Sequence, residues 1–241
     1  KKEEARKKQD AKLETAKKYI ELLQPKYYIP FAGRYTLCGK NAVLNPYRGE
    51  PELEDAFEWL RNNVDQGKYR GVILNNDCWV DVDAGNANKN YVPINKNEKK
   101  DYVNNILSRK KLPYENESMS TTEILNLIPK AYENFEKNRQ KIGWVSDTMI
   151  ILKTTNIDDD LIIATSCNGK GFSKISNDDI KKYEQRMTMS LDIRLLKWLL
   201  YGPDKAHWSD ADLGSHLRYE RVGSVYKRGL FYCWNYFCAE T

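Results

Sequence analysis

The residues best equipped for chemistry near neutral pH are the two histidines, both inside the run HWSDADLGSH: His207 and His216, with Asp210 and Asp212 between them. Histidine titrates near neutrality, so either could serve as a general acid or base. A catalytic zinc needs three protein ligands and one open position. Two histidines and a carboxylate could just supply them. Their spacing of nine, however, places them on no common helix face. The plainer reading is that His207 packs beside Trp208 at a helix start and that His216 opens a strand. A second chemically suggestive stretch is PKYYIPFAGRYTLCGKNAVLNPYRG, residues 25–49. Here Tyr27 to Gly33 reads as a buried strand closed by Pro30 and a glycine turn. Arg34 and Tyr35 then fall at the mouth of a sheet, where α/β proteins commonly place a pocket. A plain strand and turn, with Arg34 paired to a surface carboxylate, is the competing reading.

Other signatures are missing. Asp77, Asp81 and Asp83 lack the spacing and the distal glutamate of a calcium loop and read as turn aspartates. There is no G-x-S-x-G nucleophile motif, no P-loop and no G-x-G-x-x-G. The five cysteines (38, 78, 167, 233 and 238) form no CxxC pair and no Cys/His ligand spacing. An odd, scattered set fits reduced thiols in a cytoplasmic setting better than a disulfide framework.

These residues are carried by 241 positions, of which 41% are hydrophobic and 30% charged, enough for a sizeable core. The 39 basic and 34 acidic residues are interspersed, so the net charge of +5 argues against a nucleic-acid footprint, which would be segregated. No apolar run is long enough to span a membrane. Aromatic residues are abundant, with 16 Tyr, 6 Trp and 6 Phe.

The elements follow from periodicity. Residues 1–23 predict a helix with an apolar stripe from Leu13 through Ala16, Tyr19–Ile20 and Leu23, stopped by Pro25. Residues 51–64 predict a second helix facing inward through Leu53, Phe57 and Leu60. Residues 69–82 predict a hairpin turning at Asn75–Asp77. Residues 98–110 predict a helix with Tyr102, Ile106 and Leu107 inward. The helix to about Lys141 opens on a Ser120 or Thr121 cap with Glu123 behind it. After Gly143, residues 146–155, 160–166 and 172–175 predict an antiparallel meander. A helix over 190–201 ends at Gly202-Pro203, and 217–222 alternates as a strand. Residues 229–237, GLFYCWNYF, fit a buried strand or helix. The expected organisation is α/β for residues 1–142 and a smaller α+β domain with an antiparallel sheet for 143–241.

Two stretches carry a family resemblance: PKYYIPFAGRYTLCGKNAVLN with its following helix, and LLKWLLYGPDKAHWSDADLGSHLRYERVGSVYKRGLFYCWNYF. They resemble the C-terminal half of a branch of the metallo-β-lactamase-fold proteins, related to the ascorbate-6-phosphate lactonases and to CMP-N-acetylneuraminate hydroxylase. The later stretch is also similar in order to sterol-carrier-protein-like domains appended to some members. The resemblance runs from Lys1 to about Val80 and from about Asp192 to the last residue. It implies that residues 1–142 form part of an αββα sandwich and that Arg34, Tyr35 and Asn45 touch a small anionic or sugar-like substrate. It also implies a divalent metal (zinc, iron or manganese) in the complete protein. The family's H-x-H-x-D-H ligand run is absent from this sequence, so no metal ligand carries over. With Lys1 in place of an initiator methionine, the expectation is that a missing N-terminal segment or a partner chain supplies that run. The chain then belongs to a metal-dependent hydrolase or oxygenase-like enzyme, contributes one pocket wall and is inactive alone. The rival expectation is a non-catalytic module whose aromatic C-terminal region holds an apolar ligand or a protein partner.

Overall fold

The computed structural model describes residues 1–31, 35–157, 160–223 and 227–240. The chain is mixed α/β and divides into two compact units, Lys1–Lys110 and Lys111–Thr241. The division precedes the composition change at Gly143, because helix Thr121–Lys141 packs on the C-terminal sheet and belongs with it.

In the first unit α1 (Lys2–Leu23) packs on α2 (Leu53–Asn63). Between them in sequence lie β1 (Tyr27–Tyr28) and a 3-10 segment, Gly39–Tyr47. Ile20, Tyr28, Leu60, Val64 and Tyr69 form the buried cluster, with Ala16 and Trp59 against it. The predicted stripe on α1 is only partly used: Leu13 and Ile20 are buried, while Leu23 is 74% exposed. The strand expected over 27–33 extends for two residues only, pairing in parallel with β2 (Arg70–Gly71). Phe31 is 80% exposed and so is not core, and positions 32 and 33 of the expected strand and turn lie outside the described residues. The expected hairpin over 69–82 does not form. Instead β3 (Val80–Asp81) pairs antiparallel with β4 (Asn86–Ala87). Asp81 Oδ1 accepts from the amides of Asp83 and Ala84, the turn role expected of it. The helix expected over 98–110 is α3 (Lys96–Asn105), capped by Asn95, whose side chain accepts from the amides of Asn97 and Glu98. It buries no residue, and Tyr102 and Ile106 face outward, contrary to the sequence reading.

In the second unit α4 (Thr121–Lys141) is capped by the Ser120 hydroxyl, as expected. Ile124, Ile128, Ala131 and Phe135 recur at helical spacing and are fully buried. The five-stranded sheet comprises β5 (Ser146–Thr155), β6 (Ile162–Cys167), β7 (Phe172–Lys174), β8 (Arg186–Asp192) and β9 (Arg218–Val222), in the order β7-β6-β5-β8-β9. The β5-β6-β7 meander is antiparallel as expected, but β8 lies parallel to β5, so the sheet is mixed. Strand β8 takes residues 190–192, where the sequence predicts the start of a helix. Apolar residues alternate along the strand, with Met187, Met189 and Leu191 in the core, and Thr188 and Asp192 are buried as well. Helix α5 (Ile193–Tyr201) follows at once, capped by Asp192. Helices α6 (Trp208–Leu213) and α7 (Arg228–Trp234) complete the unit, so that of the stretch 229–237 the part up to Trp234 is helix and the rest is a turn. Trp208, Trp234, Phe237 and Phe135 pack edge-on or stacked, with Trp234 and Phe237 4.3 Å apart and nearly coplanar. All five cysteines are free thiols. Among the described residues no helix is long and apolar enough to cross a membrane.

Candidate functional site

A cleft of about 430 Å³ lies wholly within the first unit. Its apolar surface comes from Ala42, Val43 and Pro46 of the 3-10 segment, Leu53 of α2, Ile94, and Val103 of α3. Lys96, Lys99 and Lys100 on α3, Glu52 at the N-cap of α2 and Glu54 on α2 form the charged rim. Two side-chain devices hold these walls together. Asn45 accepts from the Leu37 amide at 2.9 Å and donates to the carbonyls of Leu37 and Ala42, closing the loop that carries the 3-10 segment. Glu54 Oε1 accepts from the Ile94 amide at 2.7 Å and from the Tyr91 hydroxyl at 3.0 Å, tying the segment before α3 to α2. The Ile94 amide chiefly, helped by Tyr91, holds the Glu54 carboxyl below its ordinary range against some desolvation. Burial and the Glu54 carboxylate push the Tyr91 phenol up to about 12.

The rim cations differ in their engagements. Lys99 donates to Glu52 at 2.7 Å, and Lys96 reaches Asp55 at 3.4 Å. Lys100 has no ion pair or hydrogen bond among the described residues. Counting the cleft's own charges, three lysines stand against two glutamates, a surplus of one positive charge. An exposed ammonium above an apolar floor is a site for the head of a small organic anion.

The residues singled out from sequence fall in different places. Asn45 lines this cleft, but its amide is committed to the backbone, so it shapes the wall. Tyr35 serves as a platform for Arg48, whose guanidinium carbon sits 3.6 Å from the ring centroid. Arg48 also donates to the Tyr35 carbonyl at 2.8 Å and pairs with Glu50. Buried Arg48 was not singled out from sequence, and no motif marks it. Arg34 lies outside the described residues.

His207 and His216 do come together, lining one smaller cleft of about 240 Å³ in the second unit with Tyr114, Trp198, Lys205 and Asp210. Each has a structural task. His207 caps α6, its Nδ1 accepting from the Ser209 amide at 3.2 Å. His216 Nδ1 lies 3.2 Å from the Tyr114 hydroxyl, and its ring meets Tyr114 edge-on. His207 stands at the helix start as expected, and His216 lies two residues before β9. Among the described residues no group of three or more His, Cys, Asp or Glu side chains could hold a metal ion. No chemical step is therefore assigned here to the divalent metal that the sequence resemblance implies.

No protein-family model matches the chain, and comparison with curated proteins and with solved structures likewise finds no match.

Proposed function

We propose that the first unit is a binding module for a small organic anion with an apolar body. The observation that carries this reading is Lys100, an exposed and unengaged cation beside the apolar surface of Val43, Leu53, Ile94 and Val103. The body of the ligand packs on that surface, and its carboxylate or phosphate pairs with Lys100. Lys96 and Lys99 keep the local potential positive while remaining tied to acids on α2. Because the rim is open to water, the ion pair is worth about 1 kcal/mol, roughly fivefold in affinity, and weakens with salt. The test is calorimetric titration with 4-phenylbutyrate and with its uncharged amide. The carboxylate binds roughly fivefold tighter to the wild type, and the preference vanishes in Lys100→Ala. Equal binding of the two by the wild type refutes the reading. Five free thiols support a reducing, cytoplasmic setting for this module.

A second reading places the same cleft as one wall of a hydrolase active site of metallo-β-lactamase fold, with the metal ligands supplied by another segment or chain. Its support is the position of Asn45, on the stretch that the resemblance puts at the mouth of the site and also in the cleft wall. The small parallel ladder β1-β2, with α2 against β2, is compatible with it. Metal analysis of the protein purified at its natural length, with any partner that co-purifies, discriminates the readings. About one or two zinc, iron or manganese ions per copy of this chain favour the hydrolase, and none in a folded protein favours the module.

A further inference from the structure

The cleft of about 240 Å³ that His207 and His216 share carries two opposite charges besides its histidines. Lys205 and Asp210 both line it, and both residues are exposed. The chain before α6 fixes the first of them. The amides of Lys205 and Ala206 donate to the Gly202 carbonyl at 3.0 and 3.1 Å, closing a turn. Asp210 stands in the first turn of α6, whose start His207 caps. Leu112, Pro113, Leu195 and Ala211 give the cleft apolar surface. Its aromatic part is braced, since Tyr114, 4% exposed, meets Trp198 and His216 edge-on. The volume lies below the roughly 300 Å³ at which pockets for drug-sized ligands begin, so an occupant is small.

Neither charge is engaged by the protein. Among the described residues the Lys205 ammonium and the Asp210 carboxylate make no ion pair and no side-chain hydrogen bond, with each other or with a third group. Lys205 acts on Glu117 through space, while the Trp198 indole and Lys197 hold Glu117 directly. A ligand of one sign meets a like charge here: Asp210 repels an organic anion, and Lys205 repels an organic cation. A molecule that carries both signs on an apolar body complements all three features.

We propose that this cleft binds a small zwitterion, an α-amino acid with an apolar side chain, its carboxylate on Lys205 and its ammonium on Asp210. The side chain packs on Leu112, Pro113, Leu195 and Ala211. Tyr114 and Trp198 are already held by their own contacts, so the aromatic wall loses little freedom on binding. The paired charges separate this site from the anion cleft of the first unit. The inference uses none of that cleft's residues and stands or falls without it.

The test titrates the full-length chain with L-leucine and with its two truncations. One is 4-methylpentanoate, which lacks the ammonium, and the other is 3-methylbutylamine, which lacks the carboxylate. Affinities are read from the backbone amide shifts of Lys205, Ala206, Asp210 and Ala211, so binding of the acid in the first unit does not enter the fit. Leucine binds roughly fivefold tighter than either truncation, the effect of one exposed ion pair. In Lys205→Ala leucine and 3-methylbutylamine bind alike. In Asp210→Asn leucine and 4-methylpentanoate bind alike. Both side chains are exposed, so both variants keep the fold. A truncation that binds as tightly as leucine in the wild type overturns the proposal. So does a preference for leucine that survives both substitutions, or unmoved amides at these four positions at tens of millimolar leucine.

Discussion

Glu54 is the latch of the anion cleft, and cutting it yields the most detailed expectation. Its Oε1 receives the Ile94 amide and the Tyr91 hydroxyl, so Glu54→Ala removes two charge-assisted hydrogen bonds at once. Buried bonds of this kind are worth about 1.5–3 kcal/mol each, but Glu54 is only half-buried and water replaces it in part. A total of about 1–2 kcal/mol follows, which raises the open population of the 91–95 segment roughly 5- to 30-fold. Hydrogen exchange at the Ile94 amide reads that opening directly. Glu54→Gln keeps an acceptor, loses the charge and falls between wild type and alanine. The pH dependence has two edges. The folded-state value of Glu54 lies below its ordinary 4.5, so its contribution is fully present above 4.5 and is lost as pH falls through the lowered value. The Tyr91 value is raised from 10 to about 12, so its contribution is present below 10 and is lost as pH rises towards 12. Protection of Ile94 in Glu54→Ala equal to that of the wild type would refute the latch.

Three further outcomes follow from the second unit. Gly202 has φ +112°, and a Cβ there would stand 2.3 Å from the Glu240 carbonyl oxygen. Gly202→Ala should cost about 3 kcal/mol, lowering the melting temperature by on the order of 10 °C; an unchanged melting curve contradicts the close approach. Asp192 caps α5 and grips Arg194 with both oxygens at 2.8–2.9 Å, and Arg194 also donates to the Glu115 carbonyl. Arg194→Met leaves a carboxylate that is 3% exposed without its cation, costing about 2–4 kcal/mol. Adding Asp192→Asn to Arg194→Met should recover part of that loss in a denaturant melt, and strict additivity argues against the pair. Burial chiefly pushes the Cys167 thiol up to about 12 and the Cys233 thiol up to about 11. In the native protein at neutral pH a thiol reagent should therefore modify Cys38 and Cys78 and spare Cys167, Cys233 and Cys238, as peptide mass mapping can check.

Legibility from sequence tracked how local the determining forces are. Helix α4 could be read because its cap and its apolar period are both local, and Ser120 and Ile124 to Phe135 behave as their spacing implies. The β5-β6-β7 meander was legible for the same reason. Strand β8 was missed although Met187, Met189 and Leu191 alternate, because the strong helical run of α5 begins directly after Asp192 and masked the change of period. Its parallel pairing with β5 joins residues far apart in sequence and carries no local signal. In the first unit, Tyr27 to Phe31 has strand composition but finds a partner only at Arg70–Gly71, so propensity without pairing left Phe31 in solvent. The site was half legible. Asn45 was singled out and lies in the cleft wall, whereas Lys100 and Glu54 are ordinary charged residues until the fold places α2 beside α3. Arg48 was hidden similarly, its role depending on Tyr35 and Glu50 closing around it.

The central claim is that the apolar surface beneath Lys100 receives an organic anion, and the most direct measurement is where such an anion lands. Backbone amide shifts of the full-length chain, followed during titration with 4-phenylbutyrate, should change together at Ala42, Val43, Leu53, Ile94, Lys100 and Val103 and fit a single affinity that falls with added salt. Shifts confined to the second unit, or none up to millimolar ligand, would contradict it.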